Sequence, residues 1–102
     1  MPTMDVDKVV IPHHALFRCV HRAKKSMTEA TSIIRDVLRS EDTQWFTAPP
    51  KGVKRKQGEE GVYYGANPVH GVLVVFDEHD RSGNGYVPTA YGWDSMAQEA
   101  RA

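Results

Sequence analysis

The chain has 102 residues, of which 40% are hydrophobic and 25% charged, and its 13 Lys/Arg balance 13 Asp/Glu to a formal net charge of zero. That length suits one domain with one core and excludes two ordinary ones. No run approaches the roughly 18 apolar residues of a membrane span, and no basic stretch followed by an apolar one opens the chain, so a cytoplasmic protein with no membrane contact is expected.

The elements follow in chain order. Residues 1–10 read as an extended, flexible tail with Val6, Val9, Val10 and Ile11 as anchors, and Pro12 suits the first turn of a helix, where a missing N–H costs little. A first helix over Pro12 to Lys25 buries Ala15, Leu16, Cys19, Val20 and Ala23. Ser26 or Thr28 then caps a second helix, with Glu29 in its first turn and Ile33, Ile34, Val37 and Leu38 as its apolar stripe, ending near Arg39 or Ser40. Trp45 and Phe46 mark a short strand over Thr43 to Ala48, stopped by Pro49-Pro50. Pro49 to Gly61 is a loop whose basic tip carries Lys51, Lys54, Arg55 and Lys56.

The second half reads as an antiparallel meander. Val62 to Gly65 is a strand, Ala66-Asn67-Pro68 a turn, Gly71 to Phe76 an apolar central strand, and Gly85 to Gly92 a further strand in which Pro88 signals a bulge or an edge. Trp93 to Ala102 reads as a tail with a short helix that turns Met96 and Ala97 inward. The expected fold is α+β: a single domain over 1–102, its core about 11–92, with two N-terminal helices packed on a curved antiparallel sheet of about four strands.

The neutral total conceals an asymmetry. Between Lys8 and Lys56 stand eleven Lys/Arg and four Asp/Glu, a net of +7, whereas residues 57–102 hold two Arg and seven acids. A basic first half permits a patch for a polyanion, with modest and salt-sensitive affinity. Within it, His14, Arg18 and Arg22 recur every four residues and share one face of the first helix. Arginine matches phosphate oxygens bidentately and histidine exchanges protons near neutral pH, so this set suits holding a phosphate and moving a proton.

Thr89 and Tyr91 alternate onto one face of the last strand. If that face packs near the first helix, a hydroxyl and a phenol join the imidazole and guanidiniums. Metal-free RNA cleavage then has its parts: a base for the ribose 2′-hydroxyl, a cation for the phosphorane and an acid for the leaving 5′-oxygen. Tyr64 is a candidate for stacking a base, and the tip lysines and arginine for contacting phosphates.

Other chemistry fits less well. Five histidines and nearby acids suggest a metal site, yet none has a ligand spacing such as His-Glu-x-x-His, and Asp77 to Gly85 lacks the carboxylate order of a calcium loop. Cys19 is the only cysteine, so no disulfide forms within the chain, and it reads as a small buried side chain. No phosphate-cradling glycine loop and no Gly-x-Ser-x-Gly elbow is present. No cofactor is called for.

The pattern His14-Ala15-x-x-Arg18-x-x-x-Arg22, a second helix, and strands ending in Thr89-Ala90-Tyr91 resembles the small toxin-type nuclease domains grouped with barnase, EndoU, colicin nucleases and RelE. The resemblance covers roughly Ile11 to Gly92. It implies metal-independent endoribonuclease activity on RNA, with His14 as general acid/base, Arg18 and Arg22 on phosphate, and Thr89 and Tyr91 completing the site. It also implies a cognate antitoxin or immunity protein as partner. The neutral total charge departs from the more basic ribonucleases, and some members of this fold group serve without catalysis. The competing expectation is a non-catalytic small protein of phage or bacterial type that binds and regulates a host macromolecule.

Overall fold

The computed structural model describes residues 4–50, 53, 60–79 and 83–93. Two helices, α1 (His13–Ala23) and α2 (Met27–Arg39), precede a sheet of β1 (Gln44–Phe46), β2 (Val62–Asn67), β3 (Val72–Asp77) and β4 (Tyr86–Gly92). The strands lie in the order β1-β2-β3-β4, each pair antiparallel, and the sheet is open. This is the expected α+β arrangement.

Local chemistry explains the boundaries. Ser26 Oγ accepts from the Glu29 backbone N–H at 3.3 Å and donates to the Glu29 carboxylate at 2.6 Å, a cap that starts α2 one turn after α1 ends. The apolar stripe Ala30, Ile33, Ile34, Val37 and Leu38 is buried along α2, as its spacing predicts. On α1 the fully buried residues are Ala15 and Cys19, with Leu16, Val20 and Ala23 packed beside them at partial exposure.

The central strand owes its unbroken apolar run to burial on both faces. Val72, Val74 and Phe76 join the helices in one core, while Leu73 and Val75 belong to a second on the opposite face, with Val62, Tyr64 and Ala66. Phe46, Val53, Tyr91 and Trp93 pack against that second core.

Two expectations are revised. Ala66 and Asn67 lie in β2 rather than in a turn, and the turn follows them. Asn67 is buried, but its Nδ2 donates to Thr43 Oγ1 at 3.1 Å and its Oδ1 accepts from the His70 N–H at 2.9 Å, so its polar side chain is satisfied inside the fold. The N-terminal segment belongs to the domain from Met4 onward, which packs against the helix-side core. Val6–Lys8 form a 3-10 turn, Val9 is buried, and Arg35 donates to the carbonyls of Val6 and Val9. Val10 pairs in parallel with Tyr86, donating to the Gly85 carbonyl at 3.1 Å and accepting from Val87 at 2.9 Å. At the other end the packed region reaches Trp93, and the helix read for the tail falls beyond the described residues.

Candidate nucleic-acid interface

The eleven residues of α1 include no acid, and its outward side carries His13, His14, Phe17, Arg18, His21 and Arg22, all exposed. The helical repeat sorts them into two rows with a step of about 6 Å per four residues. One row is His14, Arg18 and Arg22; the other is His13, Phe17 and His21.

In the first row, Arg18 Nε donates to His14 Nε2 at 3.4 Å. Accepting there leaves the ring proton on Nδ1 and directs the basic nitrogen of the imidazole toward the guanidinium. Arg22, two turns on, has different partners. Its Nη1 donates to Thr89 Oγ1 at 3.4 Å and to the Ala90 carbonyl at 3.3 Å, and its guanidinium carbon lies 4.3 Å from the centroid of the Tyr91 ring. Gly92 permits this approach: a Cβ there would stand 2.5 Å from the Arg22 carbonyl oxygen.

The five residues expected to form one site thus fall into two groups. Arg22, Thr89 and Tyr91 come together, and His14 pairs with Arg18; neither His14 nor Arg18 hydrogen-bonds Thr89 or Tyr91. Along the helix, His14 and Arg22 are separated by about 12 Å. The division has its origin in β4. Between the pairs Val75↔Thr89 and Asp77↔Tyr86 the register shifts, so that Val87 and Ala90, an odd number of residues apart, both reach the helix-side core. Thr89 and Tyr91 therefore lie on the face of Leu73 and Val75, away from that core, and Arg22 meets them by reaching around the edge of the sheet.

The remaining candidates separate as clearly. Tyr64, expected to stack a base, is 1% exposed and serves the second core, so its ring offers no face to a ligand. Alternation along β2 placed one tyrosine of the pair on each face of the sheet, and both faces are covered. Lys51, Lys54, Arg55 and Lys56 lie outside the described residues. The histidines are dispersed: His70 pairs with Asp36 at 3.7 Å, His79 with Asp77 at 3.2 Å, and the other three stand on α1. Among the described residues no group of three His, Cys, Asp or Glu is placed to hold a metal ion. An open groove of about 260 Å³ lies beyond the C-terminal end of α2 between Asp36, Arg39, Asp42 and His70, and none of the candidates lines it.

Sequence reasoning overlooked Phe17. It is 52% exposed on the acid-free face and flanked by imidazoles, its ring 6.4 Å from that of His13 and 6.5 Å from that of His21. The signal was present in the four-residue spacing of His13, Phe17 and His21, the same spacing that singled out the cationic row beside it. Among the described residues no helix is long and apolar enough to cross a membrane. No family model, no curated protein and no solved structure matches the chain.

Proposed function

We propose that the outer face of α1 binds RNA and that the protein is a metal-independent endoribonuclease with His14 as its base. The observation that carries this reading is the Arg18–His14 contact on a helix face without acids. It sets a phosphate-binding guanidinium beside the proton-accepting nitrogen of an imidazole. A phosphodiester entering between them takes Arg18 as its partner and frees His14 Nε2. That nitrogen accepts the proton of the ribose 2′-hydroxyl, the 2′-oxygen bonds to phosphorus, and the bond from phosphorus to the 5′-oxygen breaks. The leaving oxygen takes a proton from water, and the products are a 2′,3′-cyclic phosphate and a 5′-hydroxyl. Arg18 stabilises the charge that builds on the phosphorane.

Arg22 serves a neighbouring phosphate rather than the scissile one, and the buried Thr89 and the Tyr91 ring hold its guanidinium in place. With Nη1 committed to Thr89 and Ala90, Arg22 presents its other donors to the strand. This departs from the single five-residue site implied by the toxin-type nucleases, whose fold class and residue types the reading otherwise follows. A cognate antitoxin would cover the same helix face.

The separation of His14 from Thr89 and Tyr91 favours a second reading, in which the face binds a host macromolecule without turnover. The deciding experiment incubates wild-type protein and His14→Ala with total RNA in excess EDTA and resolves the products on a denaturing gel. Cleavage by wild type alone, ending in cyclic phosphates, supports the enzyme. Intact RNA in both lanes, with both proteins folded, overturns it in favour of the binding protein.

A further inference from the structure

We infer that His13 and His21 are proton-gated ligands for RNA phosphates, so that the protein holds RNA more tightly as the pH falls; this deepens the RNA reading above and rests on it. The five histidines differ in their surroundings. His70 stands 3.7 Å from the Asp36 carboxylate and His79 stands 3.2 Å from that of Asp77, so a proton on either ring meets a negative charge of the protein. His13, His14 and His21 are exposed on a helix that holds no acid, and none of the three forms an ion pair among the described residues. A proton on these rings is left for an anion from outside. Histidine gains that charge between about pH 8 and pH 5, which takes α1 from the two charges of Arg18 and Arg22 to five.

The charges on the elements packed against α1 are engaged elsewhere. On α2, Glu29 accepts from Ser26, Asp36 faces His70, Arg35 donates to the carbonyls of Val6 and Val9, and Arg39 pairs with Asp7. Asp5, ahead of α1, pairs with Lys8. The last strand contributes the phenols of Tyr86 and Tyr91 and no carboxylate, and Tyr91 lies under the Arg22 guanidinium. Beyond Arg22 the next charges are Lys24 and Lys25, both positive. His13 and His21 lie about 12 Å apart along the helix, which a strand of repeated phosphates spans and a single small anion does not. The gate also opposes the chemistry: His14 accepts a proton only while neutral, so acid strengthens binding and slows cleavage, and KM and kcat fall together.

The test measures binding of a 2′-O-methyl oligouridine, which lacks the attacking hydroxyl and whose bases do not titrate in this range, at about pH 8 and about pH 5.5 over a series of salt concentrations. For wild type, the slope of log affinity against log salt is expected to steepen by about 2 at the lower pH, from three added charges at about 0.7 each on a single strand. In the double variant His13→Gln/His21→Gln, at exposed positions that leave the core untouched, the steepening is expected to shrink to about 0.7. His70→Gln, at a ring that faces Asp36, is expected to keep the full effect. Circular dichroism at both pH values confirms that each protein is folded. A wild-type slope that is the same at both pH values overturns the gate and leaves RNA binding standing. Full steepening retained in the double variant, or lost in His70→Gln, overturns the assignment to His13 and His21. Absence of RNA binding at either pH overturns both the gate and the RNA reading.

Discussion

The Arg22 guanidinium lies 4.3 Å from the centre of the Tyr91 ring while its Nη1 bonds Thr89 and Ala90, so one side chain joins the C-terminal turn of α1 to the outer strand of the sheet. The contact needs a flat cation. A lysine ammonium supplies the charge but neither the stacking plane nor the fork of donors. Arg22→Lys and Arg22→Ala are each expected to lower stability by about 1 kcal/mol, the sum of a partly exposed cation–π contact and one hydrogen bond. Tyr91→Phe keeps the ring face and is expected to stay within about 0.5 kcal/mol of wild type. Urea denaturation of the single and double variants checks this, since Arg22→Ala and Tyr91→Leu must show coupling if the ring contact contributes.

Gly92→Ala is expected to be the most disruptive single-methyl change at this end of the molecule. The added carbon would lie 2.5 Å from the Arg22 carbonyl oxygen and 3.4 Å from its carbonyl carbon, both backbone atoms that no rotamer change moves away. A loss of about 1–3 kcal/mol is expected, as for other overpacked positions. Read as a melting temperature, each kcal/mol is about 4–8 °C in a domain near this size.

Cys19 is fully buried, and desolvation raises its thiol pKa, with the nearby charge of Lys25 acting in the opposite direction. The native thiol is expected to resist alkylation at pH 8 and to react readily in denaturant. The sign of the pH effect follows. Below about pH 8.5 the thiol is protonated in both states, whereas above it the unfolded chain loses the proton first and stability falls, by at most about 1.4 kcal/mol per pH unit. Denaturation midpoints measured from pH 7 to pH 10 are expected to show a shallower alkaline decline in Cys19→Ala than in wild type.

Much of this architecture was legible in the chain because local and long-range signals agreed. The Ser26 and Glu29 pair marked the start of α2, its stripe of aliphatic residues marked the buried side, and the uninterrupted run through Val75 marked a central strand, which the fold covers on both faces. Asn67 was misleading: Asn-Pro is a turn signal, and the distant hydroxyl of Thr43 together with the His70 N–H makes a buried asparagine at the end of β2 acceptable. The site was legible by residue type but not by placement. Alternation puts Thr89 and Tyr91 on a common face, and Pro88 signalled the irregularity, but the side to which a bulge turns that face depends on the register with β3. The reach of Arg22 around β4 follows from that register and from the close approach at Gly92, neither of which is a property of α1 alone.

The two contacts along the outer side of β4 have a consequence for how copies of the protein behave in a crowded solution. Val10 occupies the strand near Tyr86 and Val87, and the Arg22 guanidinium occupies the carbonyl of Ala90 further along. An unprotected edge is a template on which another chain can extend a sheet. Here the longer outer strand is already engaged at both ends by its own chain, and the opposite edge, β1, is only three residues long. The sheet is open in topology yet offers little purchase for growth, so its tendency to aggregate should rise in Arg22→Ala beyond what the loss of stability alone would produce.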